Sequence, residues 1–175
     1  MRTLAVLVAA LAAVIAVPGA GPAAASPPAH CADARYHDFD FWVGDWTVRD
    51  KAGAPEGHNL VTREMGGCAV LEHWQSFDKG VVDQTGFSYS GYDKRTKHWH
   101  QSWFDSFGNQ LQLDGNLQGN AMVMTGRLLT PEGRLTRERA SWTPLSAHRV
   151  RQYWDYSLDN GKTWKKRFEG FYTLE

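Results

Sequence analysis

The stretch Lys97-His98-Trp99-His100-Gln101-Ser102-Trp103-Phe104-Asp105-Ser106 decides the fold. Successive side chains of an extended strand point to opposite faces. Here that rule puts Trp99, Gln101, Trp103 and Asp105 on one face and His98, His100, Ser102 and Phe104 on the other. Large rings seldom gather on a solvent face, so the tryptophan face is assigned inward. The same alternation groups Val70, Glu72, Trp74 and Ser76 in 69–77, and Val150, Gln152, Trp154 and Tyr156 in 148–157. In 163–173 it groups Trp164, Lys166, Phe168, Gly170 and Tyr172.

Outward from that stretch, short alternating runs recur between turn signals. They predict strands at 45–51, 58–65, 69–77, 85–92, 97–106, 109–117, 120–128, 134–143, 148–157 and 163–173. Ala52-Gly53-Ala54-Pro55 and Pro131-Glu132-Gly133 supply fixed or positive φ, and Asp159-Asn160-Gly161 is the strongest hairpin signal. A sustained 3.6-residue apolar period is missing, apart from a short helical turn at Phe39–Val43 ahead of the first strand. The expected class is all-β: a single up-and-down antiparallel barrel of about ten strands, in which closure removes exposed edges. A barrel wider than eight strands tends to leave a central cavity.

Residues 1–25 carry Arg2 as their only charge, an apolar run Leu4–Val17, and small residues ending in Ala23-Ala24-Ala25. This is the pattern of a signal peptide cut near Ala25/Ser26, too short in its apolar part to span a bilayer. The expected division is signal peptide 1–25, N-terminal arm 26–38 and barrel domain 39–175, exported to the periplasm or the medium. All 8 Trp, 6 Tyr and 8 Phe lie after residue 25. With 19 basic against 19 acidic residues and no basic run, a nucleic-acid or anionic-lipid surface is not expected, and no membrane span is. The two cysteines of an exported chain, Cys31 and Cys68, are expected to pair, contributing roughly 3–4 kcal/mol by loop entropy.

The segment Phe39-Asp40-Phe41-Trp42-Val43-Gly44-Asp45-Trp46, with Gly-x-Trp at the first strand, resembles the calycin superfamily of lipocalins and fatty-acid-binding proteins. More closely, the chain resembles small exported bacterial proteins of a domain-of-unknown-function group. The matching stretches are Phe39–Trp46, Gly67–Trp74, Tyr92-Asp93 with Trp99–Ser106, Arg149–Trp154 and Asp159–Trp164. The resemblance covers nearly the whole chain after residue 25. It implies a calycin-like barrel with a small hydrophobic ligand inside, and no established activity. The Gly-x-Trp-x-Gly-x-Gly pattern of haem-binding nitrobindin-like barrels is replaced after Trp46 by Thr47-Val48-Arg49-Asp50, so neither haem nor another cofactor is expected.

The inward faces carry Glu72, Gln101, Asp105 and Gln152 among the rings, and a packed core accepts such groups only when each is hydrogen-bonded. Two readings stand side by side: a polar–aromatic cavity, or a filled barrel whose polar groups satisfy one another. In the first, Glu72, Trp74, Gln101, Trp103, Asp105, Gln152 and Trp154 bind a small, partly hydrophobic or aromatic ligand. An alternative makes Glu72 and Asp105 the acid and base of an isomerase or hydrolase. Another is an envelope interaction module with a filled barrel. The reading leans away from catalysis, since neither a nucleophile elbow nor a phosphate loop is present. His98 and His100 face outward with no third ligand on the neighbouring strands, so no metal is expected. Arg134, Arg137, Arg139, Arg149 and Arg151, beside Glu132, Glu138 and Asp155, read as a charge-balanced outer face or an anion clamp, and Met122 and Met124 as cavity lining or core.

Overall fold

Ten strands follow one another in the computed structural model, which describes residues 30–175. They are β1 (Gly44–Arg49), β2 (Pro55–Glu64), β3 (Ala69–Asp78), β4 (Val81–Asp93), β5 (His98–Asp105), β6 (Gln110–Gln118), β7 (Ala121–Leu129), β8 (Leu135–Ser146), β9 (Arg149–Ser157) and β10 (Lys165–Leu174). Each pairs antiparallel with the next, and β10 pairs back onto β1, from Trp46 opposite Leu174 to Arg49 opposite Phe171. The sheet therefore closes on itself and leaves no edge strand. This architecture is compatible with a calycin-like barrel. The signal-peptide segment, and residues 26–29 of the expected arm, lie outside the described residues.

Up-and-down topology gives the barrel two unlike ends. One carries the start of β1, the end of β10 and the links after the even-numbered strands β2, β4, β6 and β8. Two 3₁₀ turns, Ala34–His37 and Asp40–Trp42, precede β1 and cover this end. The expected helical turn is the second of them. Asp33 begins the first turn by accepting the backbone N–H of Arg35 at 2.9 Å. The second delivers Phe39 and Trp42 into the barrel, both with no exposed surface. Phe39 stacks on Trp42 with ring centres 4.8 Å apart, and meets Trp142 at 5.3 Å and Trp99 at 5.8 Å edge-on. Val48, Val61, Val70, Met122, Met124 and Val150 complete this core, so both methionines are core rather than cavity lining.

The disulfide Cys31–Cys68 (Cα–Cα 5.1 Å) ties the segment before these turns to the β2–β3 link. Gly66 and Gly67 take left-handed φ of 65° and 95° there. Arg63 adds a second tie, donating to the Tyr36 carbonyl at 2.7 Å and pairing with Asp40 at 2.6 Å.

Two assignments of face need correction: that of the start of β10, where a bulge intervenes, and that of Glu138, which alternates inward with Thr136, Ala140 and Trp142 on β8. The pairing of β10 with β9 shifts register between Lys166 and Phe168, a β-bulge. An extra residue reverses which parity faces in. Lys166 consequently points outward, its side chain 57% exposed beside Glu169, and Trp164 lies outside beneath the Arg139 guanidinium. Arg167 turns inward in their place. Its partner is Glu138, which is fully buried inside the barrel and not part of the outer arginine face. Asp155 does belong to that face, buried under its bidentate partner Arg139.

Candidate functional site

The other end, formed by the links after the odd-numbered strands, opens into a cavity of about 410 Å³. That volume falls in the usual range for small-molecule sites. Glycine on neighbouring strands makes the room. A Cβ on Gly57 would stand 2.6 Å from the Trp74 ring, and one on Gly86 2.4 Å from the Trp103 ring. Each indole therefore occupies the space above a glycine of the adjacent strand, and both line the cavity. Phe168 lies over Gly170 of its own strand. Leu111, Leu113 and Leu128 supply aliphatic wall.

Deep in the cavity lies a polar network. Glu72 on β3 accepts from Asn59 Nδ2 at 3.0 Å and from Ser88 Oγ at 2.7 Å. Gln101 Nε2 on β5 donates to Ser88 Oγ and Ser90 Oγ, and the Tyr172 hydroxyl donates to Gln152 Oε1. No cation takes part. Burial pushes the Glu72 carboxyl up to about 7, with the Ser88 and Asn59 hydrogen bonds opposing that rise. Burial, and then the Glu72 charge, also raise the Tyr172 hydroxyl well above its ordinary value. Among the described residues, Asn59 Oδ1 is buried without a donor.

Nearer the mouth, Glu138 is satisfied four times over. Arg167 reaches it through Nε at 3.2 Å and Nη2 at 3.0 Å, Trp154 Nε1 donates at 2.7 Å, and Thr136 Oγ1 at 2.5 Å. The Arg167 guanidinium also lies 4.4 Å from the Tyr156 ring centre and 5.2 Å from that of Trp154. This internal ion pair fixes Trp154 on the wall.

Asp105, at the rim, has a different task. Its Oδ1 accepts the backbone N–H groups of Phe107 and Asn109, both at 3.0 Å, and Oδ2 accepts Gln84 Nε2 at 2.9 Å and Asn109 Nδ2 at 3.0 Å. The carboxylate organises the β5–β6 turn.

All seven residues singled out as candidate ligand contacts, Glu72, Trp74, Gln101, Trp103, Asp105, Gln152 and Trp154, line this one cavity. Phe168 and Tyr172 line it too, and were visible in the alternation of β10. Arg167 was hidden by the bulge. His98 and His100 face solvent, with His100 bonded to Asp114.

On the outer wall, Asp45, His58 and Glu175 bring potential metal-ligating atoms within 4.8 Å of one another. That trio is assembled by closure of the barrel and has no spacing signature in sequence. His58 Nε2 is already 2.5 Å from Asp45 Oδ1, and the group is open to solvent.

Compared with known protein families and with curated proteins, the chain matches none. The resemblance to a particular group of exported proteins therefore gains no support beyond the shared barrel architecture.

Proposed function

We propose that the protein is an exported carrier or receptor that holds a small, partly hydrophobic or aromatic molecule inside the barrel. The observation that carries this is the one-ended cavity. Four indoles, those of Trp74, Trp103, Trp142 and Trp154, line it with Phe168, while Glu72, Gln101 and Gln152 offer polar atoms within. A filled barrel does not describe the open end. Apolar contact would supply the attraction and the few polar groups the orientation. Export is supported by the disulfide, which persists in oxidising compartments, and by the signal-like residues 1–25.

The acid–base alternative fits less well. Glu72 has the environment of a general acid, but Asp105, the proposed partner, is committed to the rim turn by Phe107, Asn109 and Gln84.

The test is titration with the neutral dye N-phenyl-1-naphthylamine, read by dye fluorescence, beside native mass spectrometry of protein purified from its own host. Saturable one-to-one binding that weakens in Trp103→Ala supports the reading. A cavity that admits no dye overturns it. The same spectra report the mature mass, which is expected to begin at Ser26.

A further inference from the structure

We propose that the cavity selects an organic cation, a protonated amine carried on a flat apolar skeleton, with the ammonium group seated against Glu72. This rests on the ligand-binding reading above and names the charge class of the ligand.

Three independent features of the cavity point the same way. The first is its charge balance. Among the described residues, the lining carries three acids, Glu56, Glu72 and Asp105, and one strong base, Arg167. That base is already neutralised by the buried Glu138 behind it. Asp105 and Glu56 are partly exposed, whereas Glu72 is buried among walls of low polarity, where its charge is little screened by water.

The second is an unmet demand for donors at the cavity's inner corner. Glu72 is held by Asn59 and Ser88, both neutral, and has no basic partner. Gln101, Gln152 and Tyr172, which line the same cavity, are likewise uncharged side chains. An ammonium group carries three N–H donors, which suits a carboxylate that has spare acceptor capacity.

The third is the wall. Trp74, Trp103 and Trp154 line it, and indole is the aromatic side chain whose π-system attracts a cation most strongly. The same surface favours a cation over an anion of equal size.

Proton linkage follows from the same geometry. The groups that face Glu72 are Asn59 from β2, Ser88 from β4, Gln101 from β5 and Tyr172 from β10. Of these only Tyr172 titrates, well above its ordinary value, so Glu72 alone changes charge near neutrality. A cation therefore binds better once Glu72 has lost its proton.

Phenethylamine, 2-phenylethanol and phenylacetate share a ring and a chain length and differ in charge. Each is titrated by calorimetry, and by displacement of N-phenyl-1-naphthylamine, at pH 6 and pH 8. The expected order at pH 8 is amine, then alcohol, then acid, with the amine at least tenfold tighter than the alcohol. The amine should weaken about tenfold at pH 6, while the alcohol stays unchanged. Glu72→Gln should erase the preference for the amine and its pH dependence, and an unchanged circular dichroism spectrum shows the barrel intact.

If the alcohol or the acid binds as tightly as the amine, or if the dye binds and no amine displaces it, the cation proposal is overturned and the ligand-binding reading stands. If the dye fails as well, both are overturned. Should Glu72→Gln not fold, the order of the three ligands on the wild-type protein decides: an amine that binds no tighter than the alcohol overturns the proposal.

Discussion

At the closed end of the barrel, Trp42, Trp99 and Trp142 pack edge and face around Phe39 and exclude solvent. At the open end, Trp74, Trp103 and Trp154 are equally large, yet they surround a space instead of filling one. The residue type is the same at both ends, so composition does not explain the difference. What differs is the neighbour. At the closed end an extra segment, Phe39–Trp42, is inserted between the indoles and supplies the missing volume. At the open end Trp74 and Trp103 lie over Gly57 and Gly86, which remove volume from the wall, and nothing among the described residues is inserted. An aromatic-rich barrel is a core or a pocket according to what its small residues and its N-terminal segment do.

The largest expected effect tests the filled end. Trp42→Ala should cost about 4 kcal/mol, as deletion of a large ring from a tight core does, measured by urea unfolding. Trp103→Ala, which enlarges a space already present, should cost about 1 kcal/mol. Equal costs would erase the contrast between the ends. The disulfide belongs to the filled end, so Cys31→Ser with Cys68→Ser should lose about 3–4 kcal/mol while the ion pair near the mouth stays intact.

At the open end, Arg167→Met leaves Glu138 buried without its cation and should cost roughly 2–3 kcal/mol. Pairing it with Glu138→Leu should restore most of that loss in a double-mutant cycle. If the single variant is silent, Arg167 does not hold the wall in place.

The last prediction concerns pH. Glu72 is raised in the folded protein from an ordinary 4.5 to about 7. Below 4.5 both folded and unfolded chains hold the proton, so Glu72 contributes no pH dependence there. As pH rises from 4.5 to 7 the unfolded chain ionises first, and the folded state loses up to about 3 kcal/mol, a loss that is constant above 7. The melting temperature of the ligand-free protein should fall between pH 5 and pH 7.5, and in Glu72→Gln that fall should be reduced. A slope unchanged by the substitution would place its cause in another group.

Much of this was legible in sequence because strand periodicity is simple. The alternation around Trp99–Asp105 and Val70–Ser76 names the inward faces, and all seven candidate contacts share one cavity for that reason. The alternation fails where the backbone departs from period two. At the bulge between Lys166 and Phe168, parity assigns Lys166 to the lumen and leaves Arg167 outside, the reverse of the arrangement found. Glu138 is a different case: the alternation of β8 places it inward with Thr136, Ala140 and Trp142, but its charge groups it with the neighbouring arginines, and its buried partner Arg167 comes from a strand distant in sequence. Asp105 was legible as inward but not as a turn-organising group, because its donors come from a turn whose geometry exists only once β5 and β6 pair. The Phe39–Trp42 segment read as a helical turn, and nothing in its own residues says that it closes the end of a barrel.

A blind-ended lumen has kinetic consequences that equilibrium affinity does not reveal. With one end sealed by Phe39 and Trp42, a guest leaves by retracing the path it took inward. The links that overhang that path, with Leu129 and Pro131 among the lining residues, raise or lower a barrier common to arrival and departure. Substitutions there change exchange rates in both directions and leave the dissociation constant alone, whereas substitutions deep in the lumen act chiefly on the rate of escape. How fast such a protein hands over its cargo is thus set by different residues from those that decide which cargo it keeps.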